Sequence, residues 1–431
     1  MTTIAPSAET PTDKVYLAKL YSEAPKAPLW ELGLLTAWFF VTYVPIAGTT
    51  PILYLCVLYF VVQLFMSYKT VIPVMLKAWP LFLLPIFGFF SFIWSPYPSA
   101  AIRTGVFFLL TPLIISVIVA RVQPRQIQRC LMFAGMLTVL MTIPLWAYLP
   151  QGGPYAHKNH MAVHILFCLL FSLSAALDRG EATWLRMLAV PFVLICPLII
   201  IGSQSATSLV MMLVGVAGLI AVRFLIVDLG RIKHMRTTIL MFGVITTLIV
   251  TIVMLSFPDN DLVAKILEAL GKDSSFSGRT AIWKAGAEVS AEHPIGGVGL
   301  EGFWQYDVGT AQTLVENDYK DPGTKLGFHS AFIEVQVHLG YVGLSLFVLI
   351  IGWCILNAFR RWAVKPTLNS SAFLLMTGII LTFSFTEGWL WGTFNAVVTV
   401  FYVSALSSFG AGQRTFAGTA RLHVSDEASP G

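Results

Sequence analysis

Twelve apolar runs, each about as long as a bilayer is thick, constrain this chain more than any other feature of its sequence. A helix needs roughly 20 apolar residues to cross about 30 Å of hydrocarbon, and a helix satisfies all of its own backbone hydrogen bonds there. We therefore expect an all-α polytopic membrane protein with about 12 transmembrane helices. The predicted spans are Leu29–Gly48, Pro51–Ser67, Trp79–Trp94, Ile102–Ala120, Leu131–Leu149, Met161–Leu177, Met187–Ile201, Ala206–Val227, Thr237–Phe257, His329–Phe359, Ala372–Thr386 and Phe394–Phe409.

Composition and charge agree with this class. Apolar residues make up 56% of the chain, charged residues 11%, and the mean hydropathy is +0.77, which is far from a soluble globular domain. With a cytoplasmic N-terminus, 19 of the 27 Lys and Arg residues fall on the cytoplasmic side, as the positive-inside rule requires. Membrane topology thus accounts for the net charge of +5, and we predict no nucleic-acid partner.

The spans divide the chain into five parts. Residues 1–28 form a cytoplasmic tail, residues 29–257 carry transmembrane helices 1–9, and residues 258–328 form one large periplasmic loop. Residues 329–409 carry helices 10–12, and residues 410–431 form a second cytoplasmic tail. Because the large loop is the one sizeable polar region between spans, we expect the chemistry there. The five cysteines lie in or beside apolar spans without a CxxC pair and are interpreted as packing residues.

The large loop has two short amphipathic patterns. Apolar residues at helical spacing over Leu262–Leu270 predict a helix on the membrane surface. A second pattern predicts a helix over Arg279–Glu292, which His293-Pro294 ends. Arg279 would then lie in the first turn, where free N–H groups and a guanidinium suit a phosphate. The alternative is a surface arginine that caps its own loop.

The tenth span opens with polar residues. His329 lies at the predicted water boundary, where an imidazole suits a general base near neutral pH. The alternative is a histidine hydrogen-bonded at a helix end. Glu334 and His338 are four residues apart and share a helix face. They are either part of the site, since ionisable groups in a membrane are costly and often functional, or a structural pair of buried polar groups.

A second polar cluster precedes the sixth span and contains His157, Lys158, Asn159 and His160. Lys158 and Arg103 are the cations of the short outer loops. They run against the positive-inside trend, and an anionic headgroup would explain them; snorkelling towards lipid phosphate is the alternative. The three histidines at 157, 160 and 164 have spacing that could hold a metal, but the sequence offers no second shell, and we predict none.

Gly297–Gly302 satisfies the pattern GxGxxG. No predicted strand precedes it and no βαβ unit surrounds it, so a dinucleotide site is excluded. We interpret these glycines as residues of tight turns that bring backbone amides close to the membrane surface or a ligand.

Together, these motifs resemble those of the O-antigen ligase and polysaccharide polymerase superfamily. The similarity covers residues 278–343 well and is mainly topological elsewhere. It rests on Ser277-Gly278-Arg279 before a helix with Ile282-Trp283, on His293-Pro294-Ile295-Gly296-Gly297-Val298-Gly299, on His329-Ser330-Ala331-Phe332 and on Gly340-Tyr341-Val342-Gly343. His157-Lys158-Asn159-His160-Met161-Ala162 resembles the exopolysaccharide polymerase branch in particular.

The resemblance implies a multi-pass glycosyltransferase of the bacterial inner membrane, with an active site that faces the periplasm. Its donor would be a glycan on undecaprenyl diphosphate, its acceptor a glycan or lipid, and its chemistry inverting, without a cofactor or metal. A chain-length regulator would be a further partner. Arg279, with Lys158 or Arg103, would bind the diphosphate, and His329 would activate the acceptor hydroxyl. His157, Asn159, His160, Glu334 and His338 would be secondary site residues.

One departure favours a polymerase over an O-antigen ligase that joins polysaccharide to lipid A core. Ligases of this superfamily usually carry a further cation in the outer loop between the seventh and eighth spans, where this chain has Gly202-Ser203-Gln204-Ser205-Ala206-Thr207. Two alternatives come from other classes: a transporter of lipid-linked sugars and a non-catalytic scaffold. Transporters place ionisable groups near the midplane and contain internal repeats. Here the ionisable groups gather at the outer rim.

Overall fold

The computed structural model describes residues 27–44, 48–155, 157–226 and 279–409, and every regular element in those ranges is helical. The all-α class predicted from the apolar runs is therefore confirmed for this part of the chain. The helices are α1 (Leu29–Tyr43), α2 (Thr50–Met66), α3 (Tyr68–Lys77), α4 (Pro80–Phe90), α5 (Pro98–Arg121), α6 (Pro124–Thr142), α7 (Lys158–Leu177), α8 (Thr183–Gly202), α9 (Ala206–Ala221), α10 (Arg279–Glu292), α11 (Gly309–Asn317), α12 (Ala331–Val364), α13 (Leu368–Ser384) and α14 (Ala396–Leu406).

Within these ranges, six helices are long and apolar enough to cross a membrane. A seventh span results if α2 and α3, which meet at a bend of 99°, count as one, and four further apolar helices are shorter. The protein is thus a multi-pass membrane protein, and the count of twelve stays a prediction. The ninth predicted span, Thr237–Phe257, and the surface helix predicted over Leu262–Leu270 lie outside the described residues.

One end of the bundle, here called the basic end, collects arginines in the turns between helices. Arg121 at the end of α5 makes a two-pronged contact with the buried Glu31 of α1. Arg129 of α6 pairs with Glu181 in the turn between α7 and α8. These pairs tie neighbouring turns together, and the side of the membrane that this end faces stays a prediction from the positive-inside rule.

Helix α7 lies at the centre of the bundle. Residues 161–175 are buried on every face, and α7 packs against α6, α8, α9 and α13. Gly135 of α6 permits the close approach, because a Cβ at that position would lie 2.7 Å from the Cβ of Cys168; small residues allow such helix contacts in membranes. The central position of α7 places its first turn in the middle of the end opposite the basic end.

Helix α12 is broken within its length. Its 34 residues would extend about 51 Å, whereas the adjacent 17-residue α13 extends only about 26 Å. The helix breaks at Gly340, whose φ is 62°. The backbone amides of Val298 and Gly299 donate to the carbonyls of Val337 and His338 beside the break. The loop thereby satisfies carbonyls that the break leaves without helical partners.

Two predicted boundaries near the candidate site are wrong. The tenth span, predicted from His329, forms a helix only from Ala331, and His329 precedes it with a left-handed φ of 50°. His329 therefore lies outside the helix. The sixth span begins earlier than predicted, at Lys158, so the cluster expected in a loop forms the first turn of α7. The helix predicted over Arg279–Glu292 forms with those bounds.

We predict that Gly340→Ala strongly destabilises the protein. An added Cβ would lie 2.3 Å from the carbonyl oxygen of Ile295, and the left-handed backbone alone costs a residue with a side chain about 1–3 kcal/mol. Thermal unfolding in detergent should show a lower midpoint. Gly352→Ala is the matched control, because nothing lies within 4 Å of its Cβ position. Equal midpoints for the two variants would contradict the role of the break.

Candidate active site

Four separate stretches of the chain meet at the end of the bundle opposite the basic end. They are the first turn of α7, the first residue of α10, the segment that leads into α12, and the turn between α13 and α14. Each stretch is fixed by its own local structure. His157, for example, caps α7, because its Nδ1 accepts from the amide of Asn159 at 3.2 Å. The histidines and the amide of this turn therefore have defined positions.

The buried carboxylate of Glu387 lies at the centre of the cluster. Its Oε1 accepts from Nη2 of Arg279 at 2.9 Å and from Nδ2 of Asn159 at 2.9 Å. Its Oε2 lies 3.5 Å from Nδ1 of His329. A buried carboxylate is costly unless it is paired and hydrogen-bonded. These donors come from three different parts of the chain, so the carboxylate holds the guanidinium, the amide and the imidazole together.

The charge of Glu387 follows from its surroundings. Burial alone would raise the pKa of its carboxyl, but the hydrogen bond from His329 and the charge of Arg279 outweigh burial, and the net effect is a lowered pKa. Glu387 is therefore ionised at neutral pH. Because a carboxylate only accepts, the Nδ1 of His329 carries the proton that faces it. In the neutral imidazole, Nε2 then has the lone pair that a general base needs.

His329 is held in a strained backbone conformation. Its φ of 50° is uncommon for a residue with a side chain. The residue before it fixes this geometry: the amide of Phe328 donates to Oε1 of Glu334 at 2.6 Å, and its carbonyl accepts from the indole of Trp283 at 2.9 Å. Phe328 is also fully buried against Phe303. Strain held in this way is typical of pre-organised functional sites.

The cluster opens into a cleft of about 220 Å³. The lining residues are His157, His160, Leu326, Gly327, His329, Glu334, Glu387, Gly388 and Trp389. One wall is aromatic, because His160 stacks on Trp389 with ring centroids 5.5 Å apart. Several titratable groups thus converge on one concave surface that also has apolar walls, which is the usual arrangement of a binding or active site.

The structure brings together most of the site residues that the sequence predicted. His157, Asn159, His160, Arg279, His329 and Glu334 lie in or directly beside the cleft. His338 lies behind Glu334, with its Nε2 3.6 Å from Oε2. The binding and catalytic roles of these residues stay predictions.

The two candidate second cations have different positions. Lys158 lies on the first turn of α7, next to the site. Its ammonium donates to the carbonyl of Gln204 at 3.3 Å. Arg103 is exposed on α5, where its neighbour Thr104 donates to Glu301 of the outer loop. Among the described residues, Arg103 makes no hydrogen bond or ion pair with the cluster.

Sequence reasoning missed Glu387. It lies in Phe385-Thr386-Glu387-Gly388-Trp389, a short turn between two apolar helices. A carboxylate flanked by apolar spans was the available signal, but its partners are 58 to 228 residues away along the chain. Only the packing of the helices shows that it meets them.

The histidine spacing noted in the sequence also has a structural explanation. The buried His164 bonds through Nδ1 to the carbonyl of His160 at 2.7 Å and packs against Tyr43 and Tyr155. Within the described ranges, no group of three or more His, Cys, Asp or Glu side chains is arranged to hold a metal ion.

The fold and the cleft define a class: a polytopic membrane protein with a cation, a buried carboxylate and an imidazole gathered in one cleft at one end of the bundle. Comparison with known proteins agrees with the resemblance seen in the motifs. A family model described as O-antigen ligase matches residues 191–348, a range that includes Arg279 and His329. The exopolysaccharide production protein ExoQ of Rhizobium meliloti (strain 1021) is 27% identical over 310 residues, which cover 70% of each chain.

These comparisons confirm that the chain resembles the O-antigen ligase and polysaccharide polymerase superfamily, close to ExoQ. They support a function of the ligase or polymerase type in polysaccharide biosynthesis, carried out by a membrane enzyme that is broadly glycosyltransferase-like.

We predict that Glu387→Ala destabilises the protein by about 3–5 kcal/mol, because it leaves the partly buried guanidinium of Arg279 without its counter-charge. The lowered pKa of Glu387 also gives a pH dependence. Its contribution to stability is present above the ordinary Glu pKa of about 4.3 and is lost as pH falls below that value.

Thermal unfolding in detergent, measured from neutral pH down to about pH 3, tests both effects. Glu387→Gln should lose stability less steeply than the wild type on acidification, because the amide does not titrate. The control is Glu316→Gln, an exposed carboxylate on α11, which should follow the wild-type profile. An acid profile of Glu387→Gln identical to that of the wild type would contradict the role of this carboxylate.

Proposed function

We propose that this protein is a polysaccharide polymerase of the bacterial inner membrane, with its cleft at the periplasmic face. It would extend a glycan carried on undecaprenyl diphosphate by inverting transfer, without a metal. One observation carries the proposal: the guanidinium of Arg279 and the imidazole of His329 contact the same buried carboxylate at the same cleft. An enzyme that binds a lipid diphosphate and activates an acceptor hydroxyl needs both groups within reach of one sugar ring.

Arg279 would bind the donor diphosphate. Its guanidinium is planar and always charged, and its forked donors match phosphate oxygens. Nη2 of this guanidinium donates to Glu387, and this hydrogen bond orients the guanidinium before the substrate binds. A fixed cation of this kind stabilises the negative charge that develops on a leaving diphosphate. Lys158, which lies next to the site on the first turn of α7, is the better placed second cation.

His329 would activate the acceptor. Its Nε2 accepts the proton of the acceptor hydroxyl while the oxygen attacks the anomeric carbon from the face opposite the diphosphate. The new carbon–oxygen bond forms as the bond to the diphosphate breaks, and the lipid diphosphate leaves with the electron pair. The configuration at that carbon is inverted. Glu387 stabilises the imidazolium that results, as the carboxylate of a catalytic triad does.

The loop between α8 and α9 supports a polymerase over a ligase. In this chain, the loop supplies polar contacts to α7: Gln204 accepts from Lys158, and the hydroxyl of Ser205 donates to Oδ1 of Asn159 at 2.9 Å. The loop that carries a cation in ligases thus presents uncharged groups to the first turn of α7 in this chain. The description of ExoQ as an exopolysaccharide production protein points the same way. The second candidate is an O-antigen ligase that uses lipid A core as acceptor, because the family model has that description.

We predict that purified protein lengthens lipid-diphosphate-linked repeat units in the presence of chelator and without nucleotide. His329→Ala and Arg279→Ala should each lower the elongation rate by about 100-fold or more, because each removes a group that acts on the transition state. Product length is read on gels.

Matched controls come from the same outer region. His293→Ala and Lys284→Ala change exposed side chains and should keep the wild-type rate. Wild-type product from both site variants would exclude the proposed roles. A parallel assay with lipid A core as acceptor separates ligase from polymerase, because only a ligase would transfer glycan to it.

We also predict that Lys158→Ala weakens donor binding, whereas Arg103→Ala does not. Lys158 lies on the turn that also carries Asn159, whose side-chain amide donates to Glu387. The exposed Arg103 does not contact the cluster. The KM for the lipid-linked donor should rise about 10-fold or more in the first variant, since a hydrogen bond to a charged group contributes about 1.5–3 kcal/mol. The opposite ranking would assign the second cation to Arg103.

A further inference from the structure

His157 caps α7 and also lines the cleft. Its Nδ1 accepts from the amide of Asn159 at 3.2 Å, which satisfies one of the free N–H groups at the start of the helix. Its ring is exposed and shares the cleft wall with His329 and Glu387. The other ring nitrogen, Nε2, has no hydrogen-bond partner among the described residues. Nε2 is therefore the polar atom that this ring offers to a ligand.

The capping bond decides which nitrogen of His157 carries the proton. A backbone amide only donates, so the Nδ1 that accepts from Asn159 has a lone pair. In a neutral imidazole, one nitrogen is a donor and the other is an acceptor. The proton of the neutral ring therefore lies on Nε2. His157 offers the cleft an N–H group.

The ring of His157 is uncharged at neutral pH. Partial burial lowers its pKa below the ordinary value of 6.5. The carboxylate of Glu387 opposes this shift, and the surrounding basic groups add to it. These groups are His329, Arg279 and Lys158. The positive end of the α7 dipole also disfavours a cation at this place.

The two histidines His157 and His329 face the substrate with opposite polarity. Nδ1 of His329 lies 3.5 Å from Glu387 and carries the proton, which leaves a lone pair on Nε2 of that ring. The amide of Asn159 has the reverse effect on His157. Asn159 takes part in both arrangements, because its side-chain amide donates to Glu387. The cleft therefore has one imidazole that can act as a base and one that can only donate.

The N–H group of His157 suits the diphosphate rather than the acceptor hydroxyl. A nitrogen that already carries a proton cannot remove one from a hydroxyl, so this ring does not replace His329 as the base. The oxygens of an ionised diphosphate only accept, and they match an N–H donor. The cations proposed to bind the diphosphate are close to His157. Lys158 follows it on the same turn, and the charge of Arg279 acts on its ring.

We propose that His157 donates a hydrogen bond from Nε2 to an oxygen of the donor diphosphate and is a further catalytic residue of the transfer. This role rests on the proposed function. As the bond between the anomeric carbon and the diphosphate oxygen breaks, its electron pair stays on the oxygen. A donor fixed beside that oxygen stabilises the growing charge. His157 keeps its proton in this step, and the proton of the acceptor hydroxyl moves to His329.

The variant His157→Asn separates the two roles of this residue. Asparagine is a favoured N-cap, so its Oδ1 can accept from the amide of Asn159 and keep the start of α7. Its amide nitrogen corresponds to Cδ2 of the imidazole, one bond short of Nε2, so the donor to the ligand is lost. Binding of farnesyl diphosphate, a short lipid diphosphate, should weaken about 10-fold or more, the usual effect of one hydrogen bond to a charged group. Thermal unfolding in detergent should give the wild-type midpoint.

Arg279→Ala and His293→Ala complete the binding series. The first should weaken the binding of farnesyl diphosphate, and the second, which changes an exposed histidine, should not. Wild-type binding in His157→Asn together with weak binding in Arg279→Ala overturns the role of His157 and leaves the proposed function intact. Wild-type binding in both overturns this role and also the diphosphate site of the proposed function.

The tautomers provide a test that is independent of binding and activity. In protein with 15N-labelled histidine, the signals that disappear in His157→Asn belong to His157, and those that disappear in His329→Gln belong to His329. At neutral pH, the proton should be on Nε2 of His157 and on Nδ1 of His329. A proton on Nδ1 of His157 overturns the proposal, because that nitrogen could not accept from Asn159.

Failure of the proposed function has a different signature. If the purified protein does not elongate a lipid-linked glycan under any condition, the proposed function fails. Weaker binding of farnesyl diphosphate by His157→Asn would still support the donor role of His157.

Discussion

The candidate site depends on the contacts that the carboxylate of Glu387 makes. It is buried, and a buried carboxylate is stable only with donors close to it. The donors are Arg279 from α10, Asn159 from α7 and His329 from the segment before α12. The energetic need to neutralise one buried charge therefore fixes the relative positions of three elements that are distant in sequence. The same contact orients the guanidinium and selects the tautomer of the imidazole.

The break at Gly340 separates the outer part of α12, which follows His329, from the rest of the helix. α12 has twice as many residues as its neighbour α13. The amides of Val298 and Gly299 bond to the carbonyls beside the break, so the glycine-rich turn of the outer loop stabilises it. The positive φ of Gly297 and Gly299 agrees with their interpretation as tight-turn residues, but the amides of Val298 and Gly299 contact α12 rather than a ligand.

Sequence reasoning predicted the candidate site in part. The helical periodicity of Arg279–Glu292 gave the correct bounds for α10, because its ends carry local signals. The start of α12 was predicted two residues too early, since nothing in the local pattern shows that His329 adopts a left-handed conformation. Glu387 was missed because its significance depends on partners that no local pattern connects to it.

The sequence by itself determined the class of protein and the chemistry at its disposal. Apolar runs of bilayer length leave the backbone no alternative to helices, and the motifs around Arg279 and His329 indicate a cation and a base. The tertiary structure alone decided which of these groups meet, that Glu387 joins them, and that Glu334 lines the cleft with His338 behind it. The physical reason is the range of the interactions. Helix formation depends on neighbours within a few residues, whereas the neutralisation of the buried Glu387 carboxylate depends on partners 58 to 228 residues away along the chain.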